Sequence, residues 1–401
     1  MRTTLILFLH KLSSSVPDLP FQVRFWDAEL LSLGNGRPRF TLTISTPAAA
    51  RRVIKNGALG FGEAYIAGEI DVEGDFLELM RLGTSPDLES MKLPIVTRVA
   101  GVVRNRAQQN TLRRSRKNIA HHYSRGNEFY QLYLDESLTY SCAYYKSPTD
   151  SLEQAQQQKY EHVCRKLQLK ADETLVDVGC GWGGMLEHAA GHYGVRATGC
   201  TLSRPQYDYA VEHARSAGLE GRVSVLLEDY RNLKGTFDKF VSVGMFEHVG
   251  KKFIPTFMDK ARALLKPGGL GLLHSIGNER PTPMNPWTTT YIFPGGYIPV
   301  LEEMVGAMGR AGLVPLDVEN LRLHYALTLE EWSRRFESNA DRIRNMFNER
   351  FVRTWRMFLL GSAAGFRWGN TRLYQVVFSN GLNNSLPLTR DHLYEGSERT
   401  G

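Results

Sequence analysis

The stretch Leu175-Val-Asp-Val-Gly-Cys-Gly-Trp-Gly-Gly184 constrains the fold more than any other part of the chain. A short apolar run ends in Gly179, Gly181, Gly183 and Gly184, the pattern of a buried strand entering a tight turn. Glycines there permit positive φ and let something approach the backbone closely. The spacing G-C-G-W-G-G does not match G-x-G-x-x-G, so a phosphate cradle is not demanded. A dinucleotide site would also place an acidic residue at the end of the next strand. That strand, Val195-Arg-Ala-Thr-Gly-Cys-Thr-Leu-Ser203, ends on Thr201 and Ser203. By spacing alone, a structural turn and a ligand loop both stay open.

The surrounding segments decide the fold class. Strands are expected at 174–178, 195–200, 223–227, 240–244 and 269–274. Helices are expected at 151–169, 184–193, 205–217, 253–265 and 300–311, with a closing strand at 374–379. This alternation predicts an α/β fold with a doubly wound, mostly parallel sheet and helices on both faces. Residues 1–100 read as a small separate α/β domain. Phe40-Thr-Leu-Thr-Ile44 alternates as a strand, Asn56-Gly57 signals a turn, and a helical run ends near Met80. A basic linker at 101–118, a second domain over 119–385 and a fraying tail over 386–401 complete the expected division.

The chain has 401 residues, 42% apolar and 23% charged, which excludes wholesale disorder. Its four cysteines show no CxxC pairing, against a disulfide scaffold or a metal site and in favour of a reducing compartment. The apolar run Leu5–Leu9 is too short to span a bilayer and lacks a cleavage signature. The net charge is +7. Arg104, Arg106, Arg113, Arg114, Arg116 and Lys117 cluster without an acid between them, as a solvated linker or an anionic membrane surface would ask. No signature for nucleic acid accompanies them. Phe347, Phe351, Trp355 and Phe358 share one helical face, with Arg353 and Arg356 off it. Such a face suits core packing first and interfacial binding second.

In open α/β sheets ligands bind beyond the carboxyl ends of the strands. The glycine loop, Asp177, Glu228-Asp229-Tyr230 and the turn Lys266-Pro-Gly-Gly269 together resemble the class I methyltransferases. That resemblance implies S-adenosylmethionine at the loop, with Asp177 near its methionyl part and Asp229-Tyr230 near adenine. Thr201, with Gln206 just beyond, would serve the ribose where most relatives use a carboxylate. Glu247 and His274 are expected at the carboxyl ends of adjacent strands, where two titratable groups converging on one cleft point to chemistry.

A narrower likeness follows from His121-His-Tyr-Ser-Arg-Gly-Asn-Glu-Phe129, Leu138-Thr-Tyr-Ser-Cys-Ala-Tyr-Tyr145, Val243-Gly-Met-Phe-Glu-His-Val-Gly250, Leu272-Leu-His-Ser-Ile-Gly277, Tyr291-Ile-Phe-Pro-Gly-Gly296 and His324-Tyr325. Together these resemble the cyclopropane fatty acid synthases, strongly over 119–381 and more weakly over 20–80, where the first domain would contact lipid. The likeness implies methyl transfer to the double bond of an unsaturated phospholipid, then proton loss to a bound bicarbonate and ring closure. Its implied anion ligands are Cys142, Glu247, His274, the Ile276 N–H and Tyr325. Its implied cofactor residues are Tyr140, Ser141, Asp177, Gly179, Cys180, Gly181, Gly183, Thr201, Gln206, Asp229 and Tyr230, and Tyr123, Tyr291 and Phe293 would meet substrate. It also implies a cytoplasmic protein peripheral on the membrane, with a homodimer suggested by bacterial relatives. A branched-chain product, or a small-molecule N- or O-methyltransferase on the same scaffold, stays open.

Overall fold

The computed structural model describes residues 1–84 and 125–394. The expected basic linker and Tyr123 lie outside the described residues. Two compact units form. The first takes Met1–Gln109, within its described part, together with Thr282–Gly295 and Leu329–Thr371, and the second takes the rest of the described chain.

The first unit holds a four-stranded sheet in the order β2-β1-β3-β4, with β1 Phe21–Arg24, β2 Leu30–Leu33, β3 Phe40–Ile44 and β4 Ile70–Gly74. β3 buries alternate residues, as its sequence pattern dictates. Phe21 and Phe40 stack at 5.2 Å across the sheet. Leu5, Leu9 and Leu12 of the helix Arg2–Ser15 are buried, so the short N-terminal apolar run packs into this core. The Asn56-Gly57 signal produces a kink rather than a turn. Gly57 takes φ 55 and ψ −131 inside the helical stretch Pro47–Ile66. No helix among the described residues is long and apolar enough to cross a membrane.

The helix Glu349–Arg367 belongs to this first unit, which corrects the contiguous second domain expected over 119–385. Its aromatic face supplies the reason. Trp355 and Phe358 are buried, and the helix packs on Pro47–Ile66 and Phe76–Leu82. Arg353 caps the arrangement by donating to the carbonyls of Tyr65 at 2.7 Å and Ile70 at 2.6 Å. Trp355 and Phe358 are therefore core packing, while Phe347 and Phe351 are half-buried and stack on each other at 4.2 Å.

The second unit is built on a seven-stranded sheet in the order β10-β11-β9-β8-β5-β6-β7. The strands are β5 Thr174–Val178, β6 Arg196–Thr201, β7 Val223–Leu227, β8 Phe237–Val243, β9 Leu265–Asn278, β10 Leu313–Asn320 and β11 Thr371–Asn380. The pairs β9/β8, β8/β5, β5/β6 and β6/β7 are parallel. β10 is an edge strand antiparallel to β11 and was not anticipated. Pro315 lies inside it at a register shift, and proline argues against a strand until the edge position is known. One apolar cluster gathers Phe257, Met258 and Met304 on one face, and a second gathers Val163, Leu186 and Ala214 on the other. This is the doubly wound α/β architecture that the alternation predicts.

The tail is corrected as far as it is described. Asp391–Leu393 form a 3-10 turn with Leu393 buried, and Arg390 makes a two-pronged ion pair with Asp317 at 2.7 and 3.0 Å. One buried leucine and one bidentate pair fasten a segment without periodicity.

Candidate active site

The glycine turn closes the carboxyl end of β5. The Gly179 and Cys180 amides both donate to the Cys200 carbonyl, at 3.1 and 3.0 Å, which ties the turn to β6. Gly179 sits at φ +92, and a Cβ there would lie 2.7 Å from the Met245 side chain. The glycine is thus required for conformation and for space.

Beyond this turn a cleft opens at the carboxyl ends of the strands, where such sheets bind ligands. It brings together Tyr140, Ser141, Asp177, Gly179, Cys180, Gly181, Thr201, Gln206, Asp229 and Tyr230. Of the expected cofactor residues only Gly183 is not in its wall, though Gly184 beside it is. Thr201 donates its hydroxyl to Gln206 Oε1 at 2.8 Å and accepts from the Ser203 amide at 3.1 Å. Asp229 is buried and paired with Arg231 at 2.7 Å, so its charge is balanced within the protein.

Asp177 is different. It is 2% exposed, and its Oδ1 has no hydrogen-bond partner among the described residues. Burial raises its carboxyl to about 7, while the Lys159 ammonium pulls it back down. An unsatisfied buried acid at a ligand cleft suits a cationic group on the ligand. Lys159 was missed by the sequence reading. It is buried in the same wall, lies 3.2 Å from Ser141 Oγ and 4.0 Å from the Tyr160 ring centroid, and burial brings its ammonium down to about 8. A signal existed. On the helix Leu152–Leu167, Gln156 and Lys159 share the buried stripe with Leu152, Ala155 and Val163.

The second constellation adjoins the cleft wall. Gly244, Met245, His248 and Val249 line the cleft, and Glu247 lies between them on the 3-10 turn Phe246–His248. The Ile276 amide donates to Glu247 Oε1 at 2.6 Å. Glu247 Oε2 and His274 Nε2 are buried without partners among the described residues. Burial raises the Glu247 carboxyl to about 7 and holds His274 down at about 3, so the imidazole is neutral. Cys142 is fully buried, and burial pushes its thiol up, so it is a neutral donor and not a nucleophile. Its Sγ lies 3.1 Å from the Ala143 carbonyl. Tyr325 rides on the helix Arg322–Ser338, which is fastened to the Cys142 segment. The Ala143 amide donates to Thr328 Oγ1 at 3.1 Å and the Tyr145 amide to His324 Nδ1 at 3.0 Å.

This arrangement offers one acceptor oxygen and one imidazole nitrogen to a small polar guest. Both are already desolvated, so a guest that bonds to them removes a penalty the fold otherwise carries. Tyr291 and Phe293, expected to meet substrate, fall in the first unit. There the Tyr291 hydroxyl lies 3.4 Å from Glu63 and Phe293 packs edge-on to Phe358 at 5.5 Å. Tyr144 is sandwiched between the His162 and His324 rings at 4.2 and 4.8 Å. The four cysteines are all buried and unpaired.

A family model described as mycolic acid cyclopropane synthetase matches residues 110–376. Another, described as a domain of unknown function, matches residues 8–87. The cyclopropane-fatty-acyl-phospholipid synthase of Escherichia coli (strain K12) is 37% identical over 361 residues, covering 89% of this chain and 92% of that protein. A probable fatty acid methyltransferase of Pseudomonas putida is 34% identical over 394 residues, covering 94% and 96%. Among solved structures, mycolic acid cyclopropane synthase CmaA1 complexed with SAH and CTAB superposes with a TM-score of 0.63 at 31% identity. That match covers 66% of this chain and 98% of CmaA1.

Proposed function

Because the chain belongs to the mycolic acid cyclopropane synthetase family, we propose that it methylates the cis double bond of an unsaturated phospholipid acyl chain and closes a cyclopropane ring. The observation that carries the reading is the pair Glu247 Oε2 and His274 Nε2, buried and without partners among the described residues, with Glu247 between the cleft-lining Met245 and His248.

When bound, S-adenosylmethionine supplies an electrophilic methyl on a positively charged sulfur, and bicarbonate supplies a base. The chain's own residues bind and orient. The turn at Gly179–Gly184 admits the cofactor backbone, Asp177 answers its ammonium, and the Thr201–Gln206 pair presents polar atoms to a ribose. His274 would donate to the anion and Glu247 accept from it, with the Ile276 amide holding Glu247 by donating to its Oε1, and Cys142 and Tyr325 would complete the donor set. Methyl transfer to one alkene carbon would leave positive charge on the other, which the residues around the cleft would have to stabilise and keep from water. Positioning dominates, since an isolated alkene is a weak nucleophile. The ring face of Tyr140 at the cleft can stabilise that charge, by about 2 kcal/mol when desolvated. Loss of one proton from the new methyl then lets its electron pair close the ring. Substrate of this kind lies in a bilayer, so the proposed reaction would be carried out at a membrane surface.

A second reading is favoured by the Pseudomonas putida relative, a probable fatty acid methyltransferase. The same cation would then end in a methyl- or methylene-branched chain. One assay separates the two. The protein is incubated with S-adenosylmethionine and vesicles of a monounsaturated phospholipid, and the acyl chains are examined by proton NMR. Upfield ring-methylene protons are expected. Branched-methyl or exomethylene signals would move the function to the sibling reaction, and unchanged lipid would reject both. In the same assay Glu247→Ala should lose nearly all turnover while cofactor binding, followed by calorimetry, stays within a few-fold. Equal loss of both would make Glu247 structural.

A further inference from the structure

Behind His274 a chain of buried polar groups runs through the sheet, and its chemistry has a definite polarity. Gln375 on β11 places its Nε2 3.1 Å from His274 Nδ1. The Gln375 Oε1 lies 2.8 Å from the Lys166 ammonium. Lys166 in turn meets Glu319 Oε2, which also lies 2.7 Å from His162 Nε2. His274, Lys166 and Gln375 are all among the buried polar residues, and Gln375 and His274 are at most 1% exposed.

A glutamine amide has a donor end and an acceptor end, whereas an ammonium can only donate. Burial lowers the Lys166 ammonium, and Glu319 beside it opposes that shift. Burial opposes the carboxylate, but His162 and Lys166 hold Glu319 down at about 2, so a full negative charge faces the ammonium. Gln375 must therefore turn its oxygen to Lys166 and its N–H to His274. His274 Nδ1 is then an acceptor, and in a neutral imidazole the proton sits on Nε2. That Nε2–H is the buried atom without a protein partner among the described residues.

We infer that Glu319, Lys166 and Gln375 are positioning residues that fix His274 as the Nε2–H tautomer, so that it presents a donor, never an acceptor, to an oxyanion beside Glu247. The inference concerns the site of the proposed reaction and, for the identity of that oxyanion, rests on that reading. It explains why a helix lysine, Lys166, and a strand glutamine, Gln375, are buried where apolar residues could sit. Orienters of this kind act on the ring nitrogen opposite the working one.

The test reads the tautomer without using turnover. The full chain is labelled with 15N-histidine and His274 is assigned by its absence in His274→Asn. Long-range nitrogen–proton correlation spectra distinguish Nε2–H from Nδ1–H. The wild type should show the Nε2–H form of His274. In Gln375→Glu the new carboxylate can only accept, so the proton should move to Nδ1. In Lys166→Met the amide is free to flip, and both tautomers should appear. The bicarbonate concentration needed for half-maximal methyl transfer to vesicles should rise roughly tenfold in both variants, as expected for one lost hydrogen bond to a charged group, with cofactor affinity unchanged. A wild-type Nδ1–H tautomer, or a tautomer unmoved in both variants, overturns the inference. Should Gln375→Glu fail to fold, Lys166→Met decides alone. A correct tautomer in a protein that leaves vesicle lipid unchanged would reject the proposed reaction and retain the assignment.

Discussion

At Asp177 the side chain was chosen against its own comfort. Burial drives the carboxyl up to about 7 and only Lys159 draws it back. The free protein therefore holds a proton there through the acid range, and a cationic ligand must displace it. S-adenosylmethionine affinity should consequently weaken as pH falls from 7.5 to 5.5, approaching tenfold per unit at the acid end. Calorimetry across that range checks it, and Asp177→Asn should flatten the profile while lowering affinity at neutral pH. A wild-type profile as flat as the variant's would remove Asp177 from the cofactor's charge balance. Asp177 was legible because it precedes a glycine turn. Lys159 was not, because a lysine in a helix reads as solvated until the stripe it shares with Leu152 and Val163 is followed.

Among the elements, the β5 turn is the least replaceable. Gly179→Ala would force a side chain into φ +92 and within 2.7 Å of Met245. Backbone strain alone costs about 1–3 kcal/mol. Cofactor affinity should fall more than tenfold and the unfolding midpoint by several degrees, with far-UV circular dichroism unchanged; an unchanged affinity would place the ligand away from this turn. The strands β5 to β9 were legible because buried parallel strands are short apolar runs bounded by turn residues. β10 was not, because its exposed edge position tolerates Pro315, Asp317 and Glu319, which weaken any strand pattern. That same irregular strand carries Glu319 to Lys166, so the element hardest to read supplies part of the site's wiring.

On the scale of the molecule, the family match over 110–376 is continuous in sequence but not in space. The helix Glu349–Arg367 lies inside that match, yet it packs on the N-terminal helices of the first unit. A chain beginning at residue 110 would strip Arg353 of the Tyr65 and Ile70 carbonyls and uncover Trp355 and Phe358. Each uncovered aromatic costs about 1.5–3 kcal/mol. Such a truncated chain should unfold more than about 10 °C below the full chain and bind a hydrophobic dye, as thermal scanning would read; an equal midpoint would show that the helix has other support. The sequence by itself determined the doubly wound sheet and the glycine turn, because local periodicity and turn chemistry act over a few neighbours, while the candidate residues of both constellations came from the family resemblance of the motifs. Only the tertiary structure decided that a C-terminal helix completes the first unit, that Lys159 faces Asp177, and that Gln375 orients His274. Those outcomes depend on which buried partner each side chain meets, and local sequence does not specify that partner, which for Gln375 lies 101 residues away at His274.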